Sequence, residues 1–501
     1  MAFISTTLGY WLLVIYGIFM ILITIVFARW KQYKTIQGFL VAERNVNWWL
    51  GAASIAASWI WAPALFVSVQ VAYEKGIPGI FWFTFPNIIA LLLFIYLAPK
   101  IREKLPNGYT LPQWIRHKLK SEKVHKIYLF PYFFYQLMAV TVQLFAGGSL
   151  LYIITGIPLI TGMIIMSVIV LAYSYISGLE ASIVTDLIQF ALIVIGVVIV
   201  VPLSIHAAGG MSVMTTSGFS GNFGNIFDPG VAFSFGIVTA IGLISGAISD
   251  QQYWQRAFAA KKKNIVPSFL FGALMFAIVP IALSSLGFLA ANSSLGITLP
   301  EGVDSSMIGI FTVSKFLSPA VIAVFVIMLL SALMSTLDSG IMAASSLYVR
   351  DVKKYSDKEN LVWEKTDEGK VLNENEKVIS ATLNKKAVKD SRVAMFAIVG
   401  LGFLVALAIT YIPGFGLQQL WWIFNTIAAC VVVPTVLSLY WDKLDARGVF
   451  WGVLVAFVIG VPLFVYSNVI NNALWIVMSS LFIILVSTAF CLILRKKPEI
   501  I

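Results

Sequence analysis

The stretch Ala57-Ser58-Trp59-Ile60-Trp61-Ala62-Pro63-Ala64 sits inside an apolar run covering residues 48–72. About 20 apolar residues of helix cross a bilayer, so this run is long enough to do so. Pro63 lacks a backbone donor, and its ring clashes with the carbonyl four residues back. A helix through this point is therefore interrupted. Broken helices are tolerated at membrane depth where the freed carbonyls line a cavity or hold an ion.

Working outward, the same kind of run recurs. Hydrophobic residues make up 59% of the 501 positions and charged residues 11%, well under the ~25% charged of a soluble domain. Thirteen apolar runs follow one another: 9–28, 48–72, 78–98, 127–154, 159–178, 184–204, 232–254, 266–290, 318–347, 394–412, 418–440, 449–467 and 473–494. Short connections make them one membrane domain. The run at 232–254 is also punctuated, by Gly236, Gly242 and Gly246 ahead of Asp250-Gln251-Gln252-Tyr253-Trp254. Either interruption alone would say little, because Gly and Pro are common in spanning helices. Two of them, five helices apart, are the pattern of an inverted-repeat carrier with its site between the halves.

The net charge of +11 invites a nucleic-acid reading, which its distribution excludes. With the N-terminus outside, 32 of the 34 Lys and Arg fall at 29–44, 100–126, 256–263, 350–392, 443–447 and 495–497, all on one side. Only Lys75 and Lys315 fall opposite. This bias predicts an N-out, C-in protein of the cell membrane, with a weak attraction to anionic lipid. No basic n-region precedes the first run, and its charges follow it, so it reads as a retained helix rather than a signal peptide. Cys430 and Cys491 fall within runs 61 residues apart, and the three histidines are scattered. Neither a disulfide nor a histidine metal site is expected. Residues 350–392 hold 20 of the 57 charged residues. They predict a solvated cytoplasmic loop, partly disordered or carrying a short surface helix.

Acids at bilayer depth are functional candidates. Three stand out, Asp186, Asp250 and Asp338, with no Lys or Arg expected inside a span to pair with them. Such acids either stay protonated or hold a cation; the plainer alternative is an interfacial acid that reaches water. In the ninth run, Ser335, Asp338 and Ser339 share one helical face beside Thr336. Hydroxyls with a carboxylate suit a hard alkali cation. Serines and threonines alone more often bond their own helix or a neighbour, and Asp338 tips the reading toward a cation site.

Three motifs resemble the sodium/solute symporter family over nearly the whole chain. They are Gly178-Leu179-Glu180-Ala181 with Thr185-Asp186-Leu187-Ile188-Gln189, then Gln252-Tyr253-Trp254-Gln255-Arg256 with Ala259-Ala260-Lys261, then Ser331-Ala332-Leu333-Met334-Ser335-Thr336 with Ala344-Ser345-Ser346. Within the family, Ser58-Trp59-Ile60-Trp61-Ala62, Gly76-Ile77-Pro78-Gly79 and Asp250-Gln251-Gln252-Tyr253-Trp254-Gln255-Arg256-Ala257 are similar to the urea permease branch. The resemblance implies an all-α membrane protein with a five-plus-five inverted-repeat core at 48–440. One extra helix precedes it at 9–28, and two helices follow at 449–494.

The resemblance also implies sites. A principal sodium site would use the carbonyls of Ala57, Ile60 and Ala332 with the hydroxyls of Ser335 and Thr336. A possible second sodium site would use Asp186, Asp338 and Ser339, although a hydroxyl is more usual in the family where Asp338 stands. Pro63 likewise departs from the small residue expected in the urea branch. The substrate would lie between the broken helices, against Trp59, Trp61, Asp250, Tyr253 and Trp254. Tryptophans also anchor helices at the lipid interface; their position beside the break favours a pocket.

The reading is a sodium-coupled symporter of a small urea-like or related nitrogenous solute, working by alternating access as a monomer or weak oligomer. The alternatives are an uncoupled uniporter or channel for urea-like solutes, and a proton-coupled symporter for amino acids, polyamines or carboxylates. An enzyme is not expected, since the chain offers no nucleophile–base pair and no nucleotide loop.

Overall fold

The computed structural model describes the chain except residues 1, 31–34, 177, 219–223, 413–415 and 497–501. Lys31, Lys34 and Lys497, counted above among the basic loop residues, lie outside the described residues. Twelve helices among the described residues are long and apolar enough to span a membrane. The thirteenth expected run is the broken one, whose first part is too short to qualify alone. Among the described residues there is no strand, only an isolated bridge between Val46 and Ala260.

Helix α1 (Thr6–Trp30) precedes the core. The first core helix is split: α2 (Trp48–Trp59) ends at the break, and a π-helical turn, Pro63–Val67, leads into α3 (Ser68–Leu92). Helix α3 is itself divided at Gly76, whose φ of 67° and ψ of −146° are open only to glycine. The run then continues through α4 (Phe94–Lys104). Next come α5 (Glu122–Thr155), α6 (Leu159–Ile176) and α7 (Leu179–Ala207). The second broken helix comprises α8 (Ile237–Ser249) and α9 (Gln251–Ala259). Then follow α10 (Ile265–Ala291) and α11 (Pro319–Leu347).

The charged segment 350–392 is more ordered than its composition suggests. It folds into α12 (Asp357–Asp367) and the first half of α13 (Glu374–Ile409). Both helices begin with a complete capping box, Ser356 with Glu359 and Asn373 with Glu376. Helix α12 docks on the bundle. The Trp363 ring lies 4.0 Å from the Arg350 guanidinium, which in turn lies 4.4 Å from the Tyr109 ring. Tyr109 donates its hydroxyl to Asp367. The chain ends with α14 (Leu417–Tyr440), α15 (Ala446–Val469) and α16 (Ala473–Ile493).

Packing follows the two-repeat plan. Helix α10 lies along α2 and α3, α11 lies along α7 and α5, and α8 lies along α14. Small residues permit the closest approaches, as expected where lipid removes any hydrophobic drive between helices. A methyl group on Gly246 would sit 2.1 Å from Asn425 Oδ1 and 2.9 Å from the Tyr135 hydroxyl.

Candidate functional site

At the first break the backbone departs from the helix at Ile60, with φ −83° and ψ 70°. Ile60 N–H still reaches the Ala56 carbonyl, but Ala62 N–H donates to Gln143 Oε1 on α5 at 2.9 Å. Pro63 at the start of the next turn needs no partner for a missing N–H. The carbonyls of Ala57 and Ile60 thus lie where the helical ladder ends. The second break falls at Asp250, later than the glycines suggested, with extended φ −83° and ψ 112°. Those glycines serve close packing instead: Gly242 and Gly246 lie against Asn425, and Gly236 against Trp82. Asp250 caps α9 by accepting from Gln252 N–H at 2.9 Å, and it also accepts from Gln136 Nε2 at 3.1 Å. Both breaks therefore lean on polar side chains of α5.

An aromatic cluster fills the junction. The Trp59 and Trp61 rings stack at 5.6 Å, and each residue is 2% exposed. Tyr253 meets Trp59 edge-on at 5.2 Å, while Phe424 and Trp421 meet Trp61 at 5.3 and 6.3 Å. Of the expected lining residues, Trp59, Trp61 and Tyr253 are brought together. Asp250, three positions before Tyr253, is held by its cap on α9. Trp254 is one ring removed: it packs on Phe94 at 4.9 Å and donates to the Ile248 carbonyl at 2.6 Å. The cluster is rich in buried polar atoms without a protein partner: Trp59 Nε1, Trp61 Nε1, Trp421 Nε1, Gln143 Nε2, the Tyr253 hydroxyl and Gln252 Oε1. Each such atom in a dry interior costs about 1–3 kcal/mol, which makes the ring cluster a candidate place for a hydrogen-bonding solute. A cavity of about 580 Å³ lies elsewhere, with Tyr152, Asp304 and Gln419 in its lining.

Beside the rings, α11 faces α2. Thr336 Oγ1 donates to the Ser58 carbonyl at 3.1 Å and to the Ala332 carbonyl at 3.3 Å. Ser335 Oγ donates to Asp186 Oδ1 at 2.6 Å. Of the expected principal-site oxygens, Thr336 Oγ1 and the Ala332 carbonyl meet beside the Ser58 carbonyl, while Ser335 Oγ is turned to Asp186 on α7.

The expectation that no basic residue pairs with the buried acids is overturned. Arg256, 3% exposed, donates from Nη2 to Asp186 Oδ2 at 2.9 Å and to the hydroxyls of Ser58 and Ser339 at 2.6 Å each. Its Nε donates to Ser54 Oγ at 2.9 Å, and Ser54 in turn donates to Asp186 Oδ2 at 2.5 Å. Arg256 had been counted with the basic loop 256–263; α9 instead turns it back into the bundle. Asp338 stands apart from this pair. One of its oxygens accepts from Ser174, and Oδ2 has no partner. Ser54, Gln143, Asn425 and Arg256 were absent from the sequence-derived sites. The nearest signal was the polar face of α9, where Gln251, Gln252, Gln255 and Arg256 are all buried.

A family model described as the sodium:solute symporter family matches residues 39–372. The urea-proton symporter of Oryza sativa subsp. japonica is 23% identical over 498 residues, covering 91% of this chain and 65% of its own length. The urea active transporter of Saccharomyces cerevisiae is 24% identical, covering 84% and 57%. The sodium/glucose cotransporter of Vibrio parahaemolyticus is 22% identical, covering 84% and 78%. The chain spans between 43% and 65% of the length of its urea-transporter relatives. Among solved structures, a Na+-coupled sialic acid symporter superposes with a TM-score of 0.74 at 16% identity, covering 98% of this chain and 99% of that one. The nucleobase-cation-symport transporter Mhp1 superposes with a TM-score of 0.56 at 12% identity, covering 90% and 93%. The fold is thus the inverted-repeat carrier fold, and the relatives are membrane transporters rather than enzymes.

Proposed function

We infer what this chain carries from the premise that it belongs to the sodium:solute symporter family: it is a sodium-coupled symporter of a small, uncharged, hydrogen-bonding solute of the urea class. The observation that carries the reading is the set of unpartnered buried groups around the stacked Trp59–Trp61 pair. Indole and amide N–H groups suit a carbonyl oxygen, while Gln252 Oε1 and the Asp250 carboxylate suit amide N–H groups. Flat rings on two sides suit a planar molecule. The names of the rice and yeast relatives support the same class.

Ala57, Ile60, Ala332, Ser335 and Thr336 supply oxygens of the hard, mostly neutral kind that an alkali ion prefers. Thr336 already bridges the two helices that contribute them. A bound ion there ties α2 to α11, so solute affinity and helix position depend on one another. A second reading, proton coupling, draws support from Arg256, which already neutralises Asp186, and from the urea-proton symporter name of the rice relative.

Uptake of labelled urea into liposomes, driven in turn by a sodium gradient and by a proton gradient, separates the readings. The sodium gradient alone is expected to drive accumulation, and replacing Ser335 and Thr336 together by Ala should raise the sodium requirement at least ~10-fold, as the loss of two buried contacts worth about 1–3 kcal/mol each implies. Accumulation under the proton gradient alone would select the second reading. Equilibration without accumulation under either gradient would make the chain a uniporter.

A further inference from the structure

The resemblance that placed a second sodium site at Asp186, Asp338 and Ser339 meets a different arrangement of atoms. Asp186 is fully engaged: Oδ1 accepts from Ser335, and Oδ2 accepts from Ser54 and Arg256. Ser339 accepts from Arg256 Nη2 and lies 3.0 Å from the Ser58 hydroxyl. The remaining carboxylate oxygen, Asp338 Oδ2, cannot coordinate an alkali ion alone. The guanidinium therefore occupies the position where the second ion's ligands converge.

We propose that Arg256 is the resident cation of this second site, so that the Asp186–Ser339 cluster holds no sodium and the chain couples to a single external cation. Three physical points carry it. A guanidinium keeps its charge under all biological conditions, so it cannot vacate the electrostatic role by losing a proton. A sodium ion bound to Asp186 would lie within contact distance of that charge in a weakly polarisable interior, where like charges repel strongly. The planar fork also answers the geometry of the site. Nη2 serves the carboxylate and two hydroxyls, Nε serves Ser54, and Nη1 donates to the Gln252 carbonyl at 3.1 Å. A lysine, with three donors on a flexible stem, could not satisfy this many acceptors.

The placement adds a conformational role. Arg256 is on α9, the second half of one broken helix. Ser54 and Ser58 are on α2, the first half of the other. Asp186 and Ser339 are on α7 and α11. One side chain thus fastens a half-helix of each break to α7 and α11. A permanent charge in that position holds these four elements together without an ion from outside.

The inference rests on the family reading of a second ion site but not on sodium being the coupling ion, and calorimetric sodium titration of the purified full chain separates the two. The wild type is expected to bind one sodium per chain, and Arg256→Gln two, because the released Asp186 and hydroxyls then await a cation. The charge-neutral double variant Asp186→Asn/Arg256→Gln, which leaves no unpaired charge to unfold the site, should return to one. If the wild type binds none and Arg256→Gln gains one, the sodium reading under Proposed function fails while the resident-cation assignment stands. Two sodium ions in the wild type, or no gain in a folded Arg256→Gln protein, overturns the assignment. Should Arg256→Gln fail to fold, the double variant decides: a loss of one sodium relative to wild type would show that Asp186 had been a ligand all along.

Discussion

Trp61 shows what a single residue contributes at the break. Its ring is stacked on Trp59 and flanked by Phe424, and its Nε1 has no partner. Packing and recognition can therefore be separated by keeping the ring and removing the N–H. Trp61→Phe should weaken solute affinity about 5–10-fold, the worth of one hydrogen bond of ~1–1.4 kcal/mol, and leave the sodium half-saturation unchanged. Urea uptake measured over solute and sodium concentrations tests this; equal solute affinities would place the indole in helix packing. Trp59, Trp61, Asp186, Ser335 and Thr336 were legible because polar or aromatic groups stand out inside apolar runs. Arg256 was hidden for the opposite reason: it stands five positions before the first of three lysines, so a sliding reading of charge assigns it to the loop. Nothing local says that its side chain turns back over α9 to an acid 70 positions away. Gln143 and Asn425 were hidden because their roles come from distant helices.

At the scale of elements, the two breaks differ in how openly the sequence declares them. Pro63 announces the first. The second depends on Asp250 capping α9, a cap preceded by no proline and displaced from the glycines that drew attention. The capping boxes at Ser356 and Asn373 were likewise available in the sequence, yet the density of charge over 350–392 argued for a loop. Charge density forbids a core of its own; it does not forbid a helix docked on a core built by others. Helix α12 is docked in this way, and Asp367 is part-buried where it meets Tyr109. Burial outweighs the nearby Arg350 and holds the Asp367 carboxyl above its ordinary value of 3.8. The docked helix therefore holds this proton more firmly than the undocked one. Docking is fully supported below that ordinary value and weakens as pH rises through the raised one. Asp367→Asn removes the titration and keeps an acceptor for the tyrosine. Hydrogen exchange over residues 357–367, corrected for the intrinsic effect of pH, should show protection falling as pH is raised above about 4 in the wild type and staying level in the variant. Parallel slopes would mean that Asp367 is solvated in solution.

For the molecule as a whole, hydropathy carried the architecture and charge carried its direction. The count of runs, their order and the placement of two interrupted helices were legible because lipid tolerates few backbone solutions; the pairing of helices across the repeats was not, since it depends on small residues and buried hydrogen bonds without periodic signature. Direction rests on one asymmetry. By the alternation of the spans, the basic residues of the loops at 100–126, 256–263 and 350–392, Arg256 apart, fall on one side, and Lys75 and Lys315 fall on the other. Basic residues resist translocation, so the crowded end should face the cytoplasm. Two exposed positions lie on opposite sides of that divide, Glu301 between α10 and α11 and Lys370 between α12 and α13. Both native cysteines are buried and give little background. In intact cells, a membrane-impermeant thiol reagent should label Glu301→Cys and spare Lys370→Cys until the membrane is permeabilised. The reverse pattern would place the docked α12 and the basic end outside. A gradient that drives uptake would then meet the solute from the opposite face of the protein.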